Sequence, residues 1–212
     1  MAASAATDQT GNPVITSAID SSTDEELATS ARAGSLDAFD QLVRRYQVPL
    51  LRFLQRKSPT PREAEDLLQE SFLRAYRSLD KFKDGYAFKP WLFTLSYRLA
   101  ISAARKASIR PANQPVESLA SRDGDPSPHA EHAEDRTQLW RIVRETLGEE
   151  SFTAVWLFYV EAIPPKEIAV IMNRSWVWVK TALHRAREKL RTPLSFDHQS
   201  LRIVPTIVRG EA

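Results

Sequence analysis

Helix start and stop signals recur along this sequence, and they constrain the fold more than any other feature. Thr23 with Glu26 forms a capping box, and Gly34 follows as a stop signal. Thr60 followed by Pro61 is typical of another helix start, because proline fits the first helical position. No alternating strand pattern of useful length lies between these signals. The sequence therefore predicts an all-α protein.

Proline residues also mark where helices are expected to bend or begin. Pro49 lies inside the helix that begins after Ser35, and we expect it to kink or split that helix because it removes an internal hydrogen bond. Pro90 is expected to open the fourth helix. Pro164 and Pro165 are expected to end one helix and start the next.

Polar segments without apolar periodicity divide the chain into two blocks. We expect globular blocks at 23–109 and 136–191, with unstructured extensions at 1–22 and 192–212. The segment 110–135 carries four prolines and, from its eighth residue onward, six acidic residues against one arginine. Such a stretch buries too little apolar surface to offset its ordering entropy. The sequence therefore predicts two small helical domains joined by a flexible acidic linker.

Composition excludes several classes of protein. No cysteine is present, which excludes a disulfide scaffold and a Cys-based zinc site and fits a reducing compartment. No apolar run approaches the roughly 20 residues that span a bilayer, and the N-terminus lacks the basic start and apolar core of a secretory signal. We therefore expect a cytoplasmic protein without membrane insertion. The net charge is only +2, so a nucleic-acid site must be argued from where the charges lie.

The third helix separates an apolar stripe from a polar face. The stripe, expected to face the core, consists of Leu68, Phe72, Ala75 and Leu79. The opposite face consists of Asp66, Gln69, Glu70, Leu73 and Arg77. An apolar Leu73 in this polar setting has two interpretations: a stray surface leucine, or part of a docking face for a partner helix.

Aromatic and basic residues alternate in the loop before the fourth helix. The aromatic residues here are Phe82, Tyr86 and Phe88, with Trp91 just inside the helix. Further along, Arg98 and Arg105 face away from the helix's apolar stripe. Rings and cations in this arrangement suit single-stranded nucleic acid, whose bases stack while its phosphates are neutralised. The alternative is that the rings, Phe82 and Trp91 in particular, fill the core.

A basic amphipathic helix closes the second block. Residues 173–191 contain six Lys and Arg residues and one Glu. Its predicted core stripe consists of Val179, Leu183, Ala186 and Leu190, with Trp176 at the edge. Its opposite face consists of Val177, Lys180, Thr181, His184, Arg185 and Glu188. A short helix and a turn at Asn173 precede it, so we predict a helix-turn-helix that enters a major groove, although a membrane surface or a partner protein also suits a basic amphipathic helix.

The order of several motifs resembles a known family. In the first block these are "AGSLDAFDQLVRRY", "AEDLLQESFLRAYRSLDKF" and "WLFTLSYRLA"; in the second they are "EIAVIM" and "VKTALHRAREKL". Each is a weak signal alone, but in this order, around an acidic linker, they are similar to a two-domain bacterial sigma factor of the extracytoplasmic-function group. The resemblance covers about residues 24–107 and 143–191.

The resemblance implies a role for each matching position. The helix matching Ala64–Leu79 binds core RNA polymerase in the family, which implies contacts by Asp66, Gln69, Glu70 and Leu73. The loop matching Asp80–Lys89 melts the promoter −10 element, which implies contacts by Phe82, Tyr86, Phe88, Trp91, Arg98 and Arg105. The helix matching Trp176–Arg191 reads the −35 element, which implies contacts by Val177, Lys180, Thr181, His184 and Arg185. The linker of such proteins runs through the RNA path of the polymerase. The resemblance also makes an anti-sigma factor a possible further partner. It implies no cofactor.

The chain also departs from the family pattern. Arg98 and Ser102 stand where an Asn and an Asp are usual, and Val177-Trp178 replaces the usual Gly-Thr before the recognition valine. Pro164 and Pro165 replace the usual Ser or Thr cap of the first helix of the motif. These departures bear on promoter preference and leave the polymerase-binding face unchanged.

Two other classes of function remain to be compared. A response-regulator output protein, which would bind DNA without being a polymerase subunit, needs a receiver with strands, and none is predicted. An enzyme needs a partnering histidine or nucleophile near Glu65, Asp66 and Glu70, and none is near. His129 and His132 lie in the predicted linker, where a preorganised metal site is not expected. We therefore expect no catalysis.

Overall fold

Helices form all the regular structure that the computed structural model describes, which covers residues 22–83, 85–109 and 139–195. The first group consists of α1 (Asp24–Arg32), α2 (Leu36–Gln55), α3 (Pro61–Arg77), a 3-10 turn (Leu79–Lys81) and α4 (Phe88–Ile109). The second group consists of a helical segment at 139–146, α5 (Glu149–Tyr159), α6 (Pro165–Met172) and α7 (Trp176–Ser195). The predicted all-α class with two helical units is confirmed. The predicted linker 110–135 and most of both predicted extensions lie outside the described residues.

Local capping explains where the first helices begin. The Thr23 hydroxyl accepts a hydrogen bond from the Glu26 amide at 3.2 Å, and the Glu26 carboxylate accepts one from the Thr23 amide at 2.8 Å. Thr60 accepts from the amide of Glu63 at 3.2 Å and so caps α3. Gly34 ends α1 with a φ of +104°, a left-handed conformation that favours glycine. These predicted boundaries are confirmed.

Pro49 does not split the second helix, contrary to one of our two expectations. α2 runs unbroken from Leu36 to Gln55 with Pro49 inside it. A proline in a helix interior costs about 3 kcal/mol. The helix nevertheless buries Leu50, Phe53 and Leu54 directly after the proline, and each such side chain contributes about 1.5–3 kcal/mol. Packing therefore outweighs the missing hydrogen bond.

Two other helix boundaries also differ from expectation. α4 begins at Phe88, two residues before Pro90, because the Phe88 side chain is fully buried and its amide donates to the Glu25 carboxylate at 3.0 Å. Proline is tolerated there, since the first amides of a helix have no partner within it. At the other end, α7 continues to Ser195, beyond the predicted limit at Arg191.

The two groups of helices pack against each other. α4 contacts α1, α2 and α3 of its own group, and it also contacts α6 of the second group. α6 in turn packs on α5 and α7. Buried apolar side chains from both groups form one continuous cluster. α4 is therefore covered from two sides, which its sequence pattern did not indicate.

One ion pair between the groups centres on a buried lysine. The Lys57 ammonium lies 2.6 Å from the Glu149 carboxylate and also donates to the Thr153 hydroxyl. Only 6% of the Lys57 side chain is exposed, and this burial lowers the pKa of Lys57. The neighbouring Arg56 guanidinium lies 3.5 Å above the centre of the Trp156 ring. The C-terminal end of α2 is thereby attached to α5.

A second ion pair joins the start of α4 to the segment after α5. The Lys89 ammonium lies 3.1 Å from the Glu161 carboxylate and donates to the Glu161 carbonyl oxygen at 2.6 Å. Glu161 is almost fully buried, and the Trp156 indole N–H donates to its carboxylate at 3.3 Å. A buried carboxylate needs such partners, because an unpaired charge is costly to remove from water.

None of the described helices combines the length and the apolar character needed to cross a membrane.

Candidate functional site

The outer face of α3 is exposed, as its helical pattern predicted. On the inner side Phe72, Ala75 and Leu79 are buried, and Leu68 is half-buried against the core, which confirms the predicted stripe. On the outer side Asp66 and Gln69 are exposed. Glu70 forms an ion pair with Arg74 at 2.6 Å, and Leu73 is 43% exposed beside them.

An apolar patch continues from Leu73 along the same surface. Tyr76, which is 41% exposed, makes an edge-to-face contact with Phe39 of α2 at a centroid distance of 5.0 Å. Leu36, three residues before Phe39 on α2, is 66% exposed. Exposed apolar side chains that cluster and are bordered by charged residues are typical of a protein-binding surface. This makes the docking interpretation of Leu73 stronger than that of an isolated surface leucine.

The loop before α4 turns most of its aromatic rings inward. Phe82 is 2% exposed and Phe88 is fully buried, with their centroids 5.8 Å apart. Trp91 is half-buried and contacts both rings, at 5.3 Å and 5.6 Å. Tyr86 is 65% exposed. The burial of Phe82 and Phe88 favours the alternative that these rings fill the core, and Tyr86 is the ring that the loop presents. The predicted contacts of Phe82 and Phe88 with the −10 strand stay a prediction.

Helix α1 holds this loop in place through two polar contacts. The Arg32 guanidinium donates to the Phe82 carbonyl oxygen at 2.9 Å. The Glu25 carboxylate accepts from the Phe88 amide at 3.0 Å. Neither contact has a local signal in the sequence, because the partners are 50 and 63 residues apart. The loop is consequently fixed at both ends, with Tyr86 exposed between them.

The far side of α4 carries exposed cations. Arg98 and Arg105 are exposed, as predicted, and Ser102 lies exposed between them. Tyr97 is half-buried, and its burial raises the pKa of the phenol. Together with Tyr86, the exposed arginines provide one ring and two cations on the surface of the first group.

Helix α7 has a buried apolar side and an exposed basic side. The stripe of Val179, Leu183, Ala186 and Leu190 is buried, at no more than 3% exposure, and this confirms the predicted core side. On the opposite side Val177, Lys180, His184 and Arg185 are exposed, and Thr181 is half-buried. Arg187 is also half-buried and donates from its Nε to the Tyr159 hydroxyl at 2.9 Å. Arg187 therefore anchors the helix, whereas Arg185 is available to a ligand.

The turn before α7 fixes how the helix leaves its domain. Asn173 has φ 51° and ψ 49°, the left-handed conformation that the sequence predicted. The Ser175 hydroxyl accepts from the Trp178 amide at 3.1 Å and so caps the helix. At the preceding helix, Pro164 is the cap residue of α6 and makes no side-chain capping bond. A short helix, a left-handed turn and a capped basic helix form the predicted helix-turn-helix.

Trp176, which the helical pattern places at the edge of the apolar stripe, is partly exposed. Its side chain is 45% exposed in the first turn of α7. The Lys180 ammonium lies 4.7 Å from the centre of its ring.

Among the residues that the structure describes, no group of His, Cys, Asp or Glu side chains is arranged to hold a metal ion. His129 and His132 lie outside the described residues.

Two family models match this chain. The model "Sigma-70 region 2" matches residues 42–109, and "Sigma-70, region 4" matches residues 145–190. RNA polymerase sigma-H factor of Pseudomonas aeruginosa is 31% identical over 180 residues, which covers 79% of this chain and 91% of that protein. The ECF RNA polymerase sigma-E factor of Haemophilus influenzae is 29% identical over 181 residues, with coverage of 81% and 95%.

Two solved structures share the fold. CnrH, in a complex with the cytosolic domain of CnrY, superposes with a TM-score of 0.59 at 24% identity and covers 82% of this chain and 98% of that one. The sigma factor RpoE, in a complex with the anti-sigma factor NepR from Bartonella quintana, has a TM-score of 0.55 at 22% identity, with coverage of 76% and 99%.

Proposed function

Because this chain belongs to the extracytoplasmic-function group of the sigma-70 family, we propose how its surfaces divide the work of a sigma factor. The protein is a sigma factor that directs promoter-specific transcription by RNA polymerase, and it is not an enzyme. Residues 23–109 form the unit that binds polymerase and the −10 element. Residues 136–191, extended to the end of α7, form the unit that reads the −35 element.

Core polymerase binds the outer face of α3. Asp66, Gln69 and Glu70 supply polar and negative contacts, and Leu73 supplies the apolar contact at their centre. Partly exposed Tyr76 extends the apolar surface. Protein interfaces have an apolar centre and a polar border, and this surface has the same arrangement.

The first group also contacts the melted −10 strand. Tyr86 is the ring on which an unpaired base stacks, and Arg98 and Arg105 neutralise phosphates. Trp91, half-buried against Phe82 and Phe88, supports the loop and offers a second ring. The buried pair thus keeps the loop in shape while the exposed residues meet the strand.

The exposed side of α7 reads the −35 element in the major groove. Lys180 and Arg185 reach guanine acceptors, Thr181 and Val177 meet thymine methyl groups, and His184 lies between them. The observation that carries most of the proposal is the division of this helix, whose apolar stripe is fully used by its own domain while its basic side has exposed side chains. Such a helix has a free face of the right charge for duplex DNA.

Two further statements complete the proposal. The protein acts in the cytoplasm, where polymerase and promoters are found. An anti-sigma factor is a third partner, and the complex of the similar RpoE with the anti-sigma factor NepR supports this proposal.

The test is reconstitution with core polymerase. The full chain should co-purify with the core enzyme and start transcripts at discrete sites, which sequencing of transcripts made in vitro identifies. The double variant Glu70→Lys with Leu73→Ala should lose co-purification while its far-UV circular dichroism stays unchanged. A matched control, Glu65→Lys with Val48→Ala, reverses one exposed acid and trims one exposed apolar residue elsewhere. Normal binding by a folded Glu70/Leu73 variant would refute the assignment of this face.

A further inference from the structure

The first turn of α7 holds a large apolar side chain in an unusual position. Trp176 is 45% exposed, and Val177 beside it is 65% exposed. Both residues lie about one helical turn before Lys180. Trp176 and Lys180 are four residues apart and therefore lie on the same face of the helix. Nearly half of the Trp176 side chain is therefore open to solvent beside the cations of the basic side.

The tryptophan does make one defined contact, which is with Lys180. The Lys180 ammonium lies 4.7 Å from the Trp176 ring centre, within the range in which a cation is attracted to the face of an indole. A lysine side chain has four rotatable bonds and loses much conformational freedom when it is held in one place. Because the Trp176 ring restricts the Lys180 side chain before DNA binds, less of this freedom is lost when DNA binds.

A neighbouring pair shows how a different arrangement behaves. The Arg174 guanidinium lies 5.4 Å from the ring centre of Trp178 and also forms an ion pair with Glu150. Arg174 is therefore held by its own domain from two sides. For Lys180 the structure records a ring contact and no carboxylate within ion-pair distance among the described residues. The ring therefore contacts the Lys180 ammonium itself, and the N–H donors that do not face the ring can turn to a ligand.

We propose that Trp176 is a specificity-determining positioning residue: its ring holds Lys180 so that the ammonium donates to one guanine edge in the major groove rather than acting as a mobile phosphate counter-ion. This inference rests on the proposed function of α7 as the −35 reader and assigns a role to a residue outside the contact set named above. A long, flexible cation has little base preference of its own, because it reaches phosphates and base edges alike. The ring converts it into a directed donor.

The experiment compares variants within the polymerase holoenzyme. Affinity for promoter duplexes is measured with each −35 base pair changed in turn, at several salt concentrations. Lys180→Ala identifies the base pair whose preference depends on this lysine. Trp176→Ala is expected to reduce the preference at that same pair by about two- to fivefold, the factor that corresponds to about 0.5–1 kcal/mol for an exposed cation–π contact. The salt dependence should become steeper by up to about one unit in Trp176→Ala, because the released Lys180 is then able to neutralise a phosphate.

Three further variants separate positioning from structure. Trp176→Phe keeps a weaker ring and should retain part of the preference. In the background of Lys180→Ala, adding Trp176→Ala should cause no further loss at that base pair. Lys189→Ala, which removes an exposed cation elsewhere on α7, should leave base preference unchanged.

Several results would overturn the inference. These are an equal loss on all sequences in Trp176→Ala, a loss at a different base pair, or a loss that persists in the double variant. Weaker binding of Trp176→Ala to core polymerase without DNA would identify Trp176 as a protein contact instead. If the wild-type holoenzyme itself shows no upstream preference, the proposed function of α7 fails as well, which distinguishes that failure from an error about Trp176 alone.

Discussion

Replacing Lys89 by methionine should loosen the contact between the two groups of helices. Lys89 is the ion-pair partner of Glu161, whose carboxylate lies 3.1 Å away and is almost fully buried. In the variant, the closed arrangement leaves that carboxylate with the Trp156 indole N–H as its recorded side-chain donor. In an arrangement with the groups apart, water solvates the carboxylate. The substitution therefore acts on the balance between the two arrangements.

The magnitude follows from the burial of the pair. Removing one partner of a buried ion pair costs about 3–5 kcal/mol. Because 30% of the Lys89 side chain is exposed, we take the lower end, about 3 kcal/mol. At 1.4 kcal/mol per factor of ten, the ratio of closed to open molecules should fall by roughly 100-fold. Adding Glu161→Gln removes the uncompensated charge and should restore part of this loss.

The assay is a distance measurement between two spin labels. The chain has no cysteine, so Asp37→Cys on α2 and Lys189→Cys on α7 provide two unique labelling sites at exposed positions. The distance distribution should broaden and lengthen in Lys89→Met. It should remain that of the parent in Lys83→Met, which removes an exposed lysine from the loop before α4. Identical distributions in the parent and in Lys89→Met would refute the idea that this ion pair holds the groups together.

Three further outcomes are expected. Tyr86→Ala should reduce promoter opening more than closed-complex binding, because stacking contributes about 1–3 kcal/mol per base only after the strands separate; unchanged permanganate footprints would contradict this. Burial lowers the pKa of Lys57, so the unfolded chain binds the Lys57 proton more tightly than the folded chain does. The free energy of unfolding should therefore rise with pH between the lowered pKa and 10.5. Urea titrations in that pH range should show a flatter rise for Lys57→Met than for the parent, and an equal rise in both proteins would contradict this expectation. Arg185→Ala should lose roughly 1–3 kcal/mol of binding free energy on the preferred −35 sequence and weaken the preference at one base position. Arg187→Ala should instead lower the thermal stability, because it loses the contact with Tyr159. A larger loss of base preference in Arg187→Ala than in Arg185→Ala would show that a different side of α7 faces the groove.

Features set by residues close in sequence were predictable. The caps at Thr23 and Thr60 depend on a hydroxyl and an amide three residues apart, and both formed as the pattern indicated. The buried stripe of α7 follows from helical spacing alone. The left-handed turn at Asn173 follows from the conformational tolerance of asparagine. In each case the cause and its effect lie within one or two turns of helix.

Features that depend on distant partners were not predictable. The alternation of rings and lysines before α4 did not show which rings turn inward, because that depends on contacts with α1 such as Arg32 to the Phe82 carbonyl. The pair of Lys57 and Glu149 joins residues 92 positions apart. The helical-wheel angle of Trp176 did not show how much of its side chain the domain covers, because that depends on residues of other helices. For the binding surfaces, the pattern predicted which side of α3 and α7 is exposed, and their roles stay predictions.

The position of α6 gives the contact between the two groups a temperature dependence. This eight-residue helix packs on α4 as well as on its own domain and buries Ile168, Ala169, Ile171 and Met172. Burial of apolar surface is driven by entropy near room temperature and weakens on cooling. The desolvation penalty of ion pairs such as Lys89 with Glu161 also falls as temperature rises. Both effects have the same sign, so warming should hold the two groups together and cold should favour their separation.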